Sequence, residues 1–150
     1  MPDLQELKLK IKNYEKKFRH PKLEQFNESG LYDLFPPDNE KSSDVEAKWP
    51  DKWPHLNDAG IYAFLSKDLE VLYIGKASMN HGIGYRLSNY CSYEEGTKKC
   101  KLNDTWDGKP RYVYTVAVPS GSKFEAPALE EYLIGEIKTS NNKAGTKSID

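Results

Sequence analysis

The sequence has few cysteines, no long apolar run and almost no net charge, and each of these scarcities excludes a class of protein. Only two of its 150 residues are cysteine, Cys91 and Cys100, and they form no CxxC pair, so a disulfide framework and a structural zinc site are disfavoured. No apolar run approaches a membrane span, and the first ten residues, MPDLQELKLK, contain no signal-peptide core. We therefore expect a protein of the cytoplasm or nucleus that is not secreted and has no membrane partner.

A strong excess of positive charge is also missing. The net charge is −1, but it is unevenly distributed: residues 1–27 and residues 71–113 are each basic by three charges, whereas residues 28–70 carry ten acidic and four basic groups. Nucleic-acid binders are usually more basic overall, so this chain would need a local basic face to bind a nucleic acid.

The spacing of apolar residues predicts a small domain with an N-terminal extension. In residues 1–58, a helix over 3–19 precedes an acidic, proline-rich segment, in which we expect Trp49 and Trp53 to anchor the chain to the core. Residues 59–150 predict an α+β domain, a three-stranded antiparallel sheet flanked by helices. The expected strands lie at 60–66, 70–75 and 111–118, and the expected helices at 83–92 and 124–139.

The most distinctive stretch is GIYAFLSKDLEVLYIGK, from residue 60 to residue 76, which spells one tripeptide forwards and then backwards. Two strands so close in sequence predict an antiparallel hairpin with its turn near residues 66–69. In that register Tyr62 faces Tyr73, with both tyrosines and both glycines on one face of the hairpin. We expect the glycines to leave this face bare for a phosphate or another backbone. A tyrosine pair that only stabilises the hairpin is the alternative interpretation.

Two charged residues on predicted helices complete this region. Arg86 lies just after the hairpin, and its planar guanidinium suits a phosphate. Glu130 points along an apolar stripe, because its neighbours at helical spacing are Ala126, Leu133, Ile134 and Ile137. A carboxylate in that direction needs a compensating cation. A metal ion, an ion pair with Arg86 or Lys76, or a purely structural ion pair would each satisfy it.

As an ordered set, these residues resemble the signature of the GIY-YIG endonuclease family. The resemblance covers residues 60–142 and is carried by Tyr62, Tyr73, Lys76, Arg86, Glu130 and Asn142. Asn141 fills the last position with a shift of one residue. The chain departs from the family pattern at two places: no proline precedes the asparagine closely, and the segment SMNHGIG, residues 78–84, is longer than in short members.

The resemblance implies a metal-dependent endonuclease that hydrolyses DNA phosphodiester bonds. In this interpretation Glu130 binds Mg²⁺ or Mn²⁺, and Arg86 and Lys76 neutralise the phosphate. Tyr62 is the preferred base that activates water, with Tyr73 as its partner. Asn142 completes the implied catalytic set.

Contacts with the nucleic acid are expected outside this set. The basic loop over 96–111 combines positive charge with an aromatic ring, although a simply solvated loop is equally consistent with its composition. The predicted contacts are Lys98, Lys99, Lys101, Trp106, Lys109 and Arg111, together with His81 from the longer segment. A non-catalytic nucleic-acid-binding or assembly module, an RNA substrate and a homodimer formed through the first helix remain open alternatives.

Overall fold

The fold is known from a computed structural model that describes residues 2–35, 46–48, 52–93, 100–102 and 106–142. Three helices are present in these residues: α1 (Leu4–Phe18), α2 (Ile83–Tyr90) and α3 (Glu125–Glu136). The strands are β1 (Asn27–Asp33), β2 (Ala47–Lys48), β3 (Gly60–Leu65), β4 (Val71–Ala77), β5 (Cys91–Tyr93), β6 (Cys100–Leu102) and β7 (Tyr112–Ala117).

The main sheet has the strand order β2-β1-β7-β3-β4. Neighbouring strands from β1 to β4 in that order are antiparallel, and the short β2 pairs with β1 in parallel. The predicted mixed α/β class with a helix-flanked antiparallel sheet is therefore confirmed. The predicted count of three strands is wrong, because the N-terminal extension supplies β1 and β2 to the same sheet. Strands β5 and β6 form a separate hairpin.

Helices cover both faces of the sheet, which explains why every residue of β3 and β7 is buried. On one face α1 and α3 pack through apolar residues that include Leu7, Ile11, Leu129 and Leu133 against the sheet's Ile61. On the other face α2 packs through Ile83 and Leu87 in a cluster that contains Tyr62 and Phe64. Trp53 packs against this second cluster, as expected, whereas Trp49 lies outside the described residues.

The register of the β3–β4 hairpin differs from the predicted one by two residues. Tyr62 lies opposite Gly75, and Tyr73 lies opposite Phe64. The pairing of the two strands shifts between Phe64 and Leu65, where the ladder is irregular. Such an irregularity changes which residues lie opposite each other along the rest of the hairpin. Because the slip is an even number of residues, both tyrosines still lie on the same face of the sheet.

Two buried ion pairs connect distant parts of the chain. Arg19, directly after α1, donates to Glu125 of α3 through Nε at 2.6 Å, and a second nitrogen donates at 3.0 Å. Arg111, directly before β7, contacts Asp33 at the end of β1 in the same two-pronged manner, at 2.8 and 3.0 Å. These bonds fix α1 to α3 and β1 to β7.

Within the described ranges, none of the helices has both the length and the apolar character needed to cross a membrane.

Candidate active site

Three tyrosine hydroxyls meet on the face of the sheet that α2 covers. The hydroxyl of Tyr90 lies 3.3 Å from that of Tyr62 and 3.0 Å from that of Tyr73. Sequence reasoning singled out Tyr62 and Tyr73 but missed Tyr90. The available signal was its position four residues after Arg86, since residues at that spacing share one face of a helix.

At both motif glycines, the space that a side chain would occupy is filled by other parts of the protein and is not open to a ligand. A Cβ at Gly75 would overlap the ring of Tyr62, which lies across this position from the opposite strand. A Cβ at Gly60 would overlap the backbone carbonyl of Val116 in β7. At Gly60 the expected approach of another backbone is found, whereas at Gly75 the expected bare surface is wrong because the ring of Tyr62 fills it.

The two motif tyrosines differ in exposure. Tyr62 is only 2% exposed, and burial, together with the hydrogen bond to Tyr90, raises its pKa far above the ordinary tyrosine range, although the charge of Arg86 acts in the opposite direction. Tyr73 is half-buried and stacks on Trp106, with ring centroids 5.1 Å apart and planes 15° apart. The preference for Tyr62 as the base is therefore not supported, and Tyr73 is the more accessible phenol.

Arg86 brings an uncompensated positive charge to the tyrosine cluster. It is half-buried and lies close enough to Tyr62 to lower the pKa of that phenol. Its Nε is fully buried and has no hydrogen-bond partner. No ion pair or side-chain hydrogen bond of Arg86 occurs among the residues that the structure describes. A buried guanidinium donor without a partner is costly, and a phosphate oxygen is a suitable acceptor for it.

Glu130 is the uncompensated negative charge of the region. It is half-buried in α3, and burial is the main cause that raises its pKa, with Glu131 adding to the effect and Lys76 opposing it. In the described part of the chain Glu130 accepts no hydrogen bond and forms no ion pair, so the predicted pairs with Arg86 or Lys76 are not formed.

Glu130 could supply one carboxylate to a metal ion, but the described residues do not supply a full set of ligands. Its carboxylate oxygens are free to bind, and oxygen is the ligand that Mg²⁺ prefers. Among the described residues, no group of three or more His, Cys, Asp or Glu side chains is present. A metal at Glu130 would therefore need water or substrate oxygens to complete its coordination, which is the usual behaviour of Mg²⁺.

The candidate residues fall into two groups on opposite faces of β4, the edge strand of the sheet. Tyr62, Tyr73, Arg86 and Tyr90 lie on the α2 face, within or beside the cluster that contains Phe64. Lys76 lies opposite Ile61 on the neighbouring strand and therefore on the same face of the sheet as Ile61, the face that α3 covers. Glu130 belongs to α3. No hydrogen bond or ion pair joins the two groups within the described ranges.

Asn142 is buried, and its side chain is bonded to the backbone of β4. Its side-chain oxygen accepts from the backbone N–H of Ile74 at 2.9 Å, and its nitrogen donates to the carbonyl of Ile74 at 2.7 Å. Thr139 donates to the same side-chain oxygen. Asn141 donates to the carbonyl of Leu72 at 3.1 Å. The two asparagines thus bind the backbone along the outer edge of β4, and the catalytic role that the resemblance implies for Asn142 stays a prediction.

The predicted nucleic-acid contacts are only partly described. Lys98, Lys99 and the side chain of Lys101 lie outside the described parts of the chain. Lys109 is exposed, with its Nζ 5.5 Å from the ring centroid of Phe35. Trp106 is half-buried against Phe64, Tyr73 and Tyr90. His81 is exposed and stacks on Tyr85.

Arg111 does not lie on a basic surface. It is 4% exposed and its guanidinium is bound to Asp33. The prediction that Arg111 contacts nucleic acid is therefore wrong, because a buried carboxylate from a strand 78 residues earlier occupies its donors.

Comparisons of the chain with models of known protein families, with curated proteins and with solved structures found no match. The likeness to GIY-YIG nucleases therefore rests on the residues of the chain alone. The structure places a half-buried cation, a cluster of phenols and a half-buried carboxylate beside one edge strand.

Proposed function

We propose that this chain is a metal-dependent endonuclease of the GIY-YIG type that hydrolyses phosphodiester bonds in DNA. One contrast within the molecule carries the proposal. The buried cations Arg19 and Arg111 each have a carboxylate partner at hydrogen-bonding distance. Arg86 and Glu130, both half-buried, have none among the described residues. Because burial disfavours an unpaired charge, the exception at β4 fits a ligand that brings an anion to Arg86 and a cation to Glu130.

Each charged residue then has a defined task. Glu130, beside Lys76, would hold Mg²⁺ or Mn²⁺, and the bound ion would supply electrostatic stabilisation of the phosphoryl oxygens. Arg86 binds non-bridging oxygens of the phosphate through its guanidinium, using the buried Nε that has no protein acceptor. Lys76 adds a second positive charge on the other side of β4.

Tyr73 is the phenol that orients and deprotonates the attacking water in this mechanism. Ionising an ordinary tyrosine at pH 7 costs about 4 kcal/mol, because its unperturbed pKa is about 10. The hydroxyl of Tyr90, 3.0 Å away, can donate a hydrogen bond to the phenolate and so lower this cost. The buried Tyr62 donates to Tyr90 and holds that hydroxyl in place.

A non-catalytic nucleic-acid-binding module is the second candidate function. The observation in its favour is the separation of the two groups: Glu130 lies on the α3 face and the tyrosines lie on the α2 face, with no direct bond between them in the described residues. A scaffold that uses Arg86 only to bind phosphate would need no contact with Glu130.

Cleavage of a mixed panel of nucleic acids tests the proposal. Supercoiled, linear, branched and single-stranded DNA, with an RNA strand for comparison, is incubated with Mg²⁺, Mn²⁺ or EDTA. Wild type is compared with Glu130→Gln, and Glu131→Gln is the matched control because Glu131 is exposed on the same helix. Sedimentation with and without DNA measures whether a homodimer forms.

We expect metal-dependent cutting of DNA by wild type and by Glu131→Gln, and its loss in Glu130→Gln. Binding without cutting by every variant would favour the non-catalytic module. Equal cutting by Glu130→Gln and wild type would refute the assignment of the metal to Glu130. Cutting of RNA but not of DNA would support the assigned active site and show that the substrate is RNA.

A further inference from the structure

A ring from the loop before α2 and a ring on the outer side of α2 are stacked on each other like neighbouring bases. The rings of His81 and Tyr85 have centroids 3.8 Å apart and planes only 12° apart. Both residues are exposed, and the relative solvent exposure of Tyr85 is 48%. No other ring contacts either residue in the described part of the chain. The pair, named here the His81–Tyr85 stack, therefore has a ring face available to a third ring.

Two exposed apolar residues belong to the loop before α2 or pack on α2 itself. Met79, two residues before His81, is 83% exposed. Its φ is 65°, in the left-handed region that residues other than glycine seldom adopt. Leu56, which is 46% exposed, packs so closely on α2 that a Cβ at Gly84 would overlap it.

The position of the stack relative to Arg86 indicates what binds there. Tyr85 and Arg86 are consecutive on α2 and point about 100° apart around the helix axis. Arg86 is directed to the tyrosine cluster, and Tyr85 is directed to solvent. Since the two residues are neighbours on one helix, we expect a strand whose phosphate lies at Arg86 to have an adjoining base on the side of Tyr85.

We propose that the His81–Tyr85 stack receives an unpaired base next to the phosphodiester that Arg86 holds, so that the preferred substrate is DNA with a single-stranded segment at the cleaved bond. This inference rests on the proposed function. A base in a perfect duplex is stacked between its own neighbours and offers no free face, whereas an unpaired base stacks on an aromatic ring at little cost. The cationic Arg86 complements the phosphate of the same nucleotide.

Binding in EDTA tests the inference without requiring catalysis. The probes are a single DNA strand of about 12 nucleotides, within the range of site sizes seen for single-strand binding, and the matching duplex. The single strand contains one 2-aminopurine, whose fluorescence falls when it stacks. The full chain is compared with Tyr85→Ala, Tyr85→Trp and His81→Ala. Phe124→Ala is the matched control, since Phe124 is an exposed ring at the start of α3, on the other face of the sheet.

We expect Tyr85→Ala to bind the single strand about tenfold more weakly and to lose the quenching, because a stacked base commonly contributes a factor of this size. Binding of the duplex should change by less than about twofold, and Tyr85→Trp should retain the wild-type behaviour. Phe124→Ala should match wild type.

Four results would overturn the inference. Unchanged binding of the single strand by Tyr85→Ala would show that the stack only stabilises the junction between the loop and α2, and a lower melting temperature would accompany that result. An equal loss for the single strand and the duplex would show that the stack does not distinguish them. Failure of wild type to bind either probe would refute the proposed function as well, whereas cleavage of a perfect duplex with no stacking signal would refute the inference alone.

Discussion

The ring of Tyr62 lies directly over Gly75 on the neighbouring strand, in the space that a side chain at position 75 would occupy. This contact explains the order of letters in the second half of the motif better than the predicted pairing of two tyrosines. Glycine follows Tyr73 and Ile74 because it allows the first tyrosine to lie flat across β4 and to reach Tyr90.

Replacing Gly75 with alanine should therefore destabilise the protein. The ring of Tyr62 is 2% exposed and has no space into which it can move, and overpacking of this kind costs about 1–3 kcal/mol. Urea denaturation of Gly75→Ala measures the loss. Gly135→Ala is the control, because a Cβ there would have no atom within 4 Å and alanine favours a helix by up to about 1 kcal/mol. Equal stability of the two variants would contradict the close contact.

The two motif tyrosines should differ in their effect on activity. Tyr73→Phe removes the accessible hydroxyl, and we expect kcat to fall about a hundredfold or more, as for the loss of a general base. Tyr62→Phe removes a buried hydroxyl whose pKa burial has already raised beyond use, and kcat should fall less than about tenfold. Single-turnover cleavage measures both. A larger loss in Tyr62→Phe than in Tyr73→Phe would return the role of base to Tyr62.

Removing the amide of Asn142 should weaken the fold at β4. Asn142→Ala leaves the N–H and the carbonyl of Ile74 without their partner, and each unsatisfied buried group costs about 1–3 kcal/mol. Asn142→Asp should also destabilise, because a carboxylate cannot donate to the carbonyl of Ile74. Denaturation curves and hydrogen exchange at Ile74 are the measurements. Wild-type stability in Asn142→Asp would show that the bond to the carbonyl contributes little.

The Arg19–Glu125 pair should make stability depend on pH. Burial alone would raise the pKa of Glu125, but hydrogen bonds from Arg19 and Ser122 outweigh it, so the pKa is lower in the folded protein than in the unfolded chain. A lowered pKa stabilises the folded state above the unfolded value of about 4.3, and this contribution is lost as the pH falls through the folded value.

Glu125→Gln should therefore lower the free energy of unfolding by about 1–3 kcal/mol at neutral pH. The free energy of unfolding of this variant should also decrease less steeply than that of wild type as the pH is lowered. Denaturation between neutral and acidic pH measures both effects. The control is Glu136→Gln, whose partner Lys10 lies 3.9 Å away on the surface and whose loss should cost less than about 1 kcal/mol. An unchanged acid slope in Glu125→Gln would place the titrating group elsewhere.

The sequence predicted the elements that have regular apolar patterns. The strands that became β3, β4 and β7 and all three helices lie close to their expected positions, since each has a clear period. Strand β1 was missed because Gly30 adopts a φ of 79° and the ladder is irregular between Glu28 and Leu31. These features interrupt the alternation on which strand prediction depends.

The candidate site was predicted in composition but not in geometry. Residue types and spacing pointed to Arg86 and Glu130, and both carry uncompensated charge. The partners of Arg111 and Asn142 lie 78 and 68 residues away in the sequence, a separation at which no local pattern identifies a contact. The irregularity near Leu65 that moved Tyr62 opposite Gly75 likewise leaves no mark in the sequence.

The bond between Asn142 and Ile74 also has a consequence for the order in which the protein matures. A ribosome releases the hairpin that contains Tyr62 and Tyr73 well before it releases the asparagine that closes the outer edge of that hairpin. Until then β4 presents unpaired backbone groups to any neighbouring chain, which is the usual starting point for misassembly. The outer edge of the nascent hairpin is thus closed only after α3 and the residues that follow it have been synthesised.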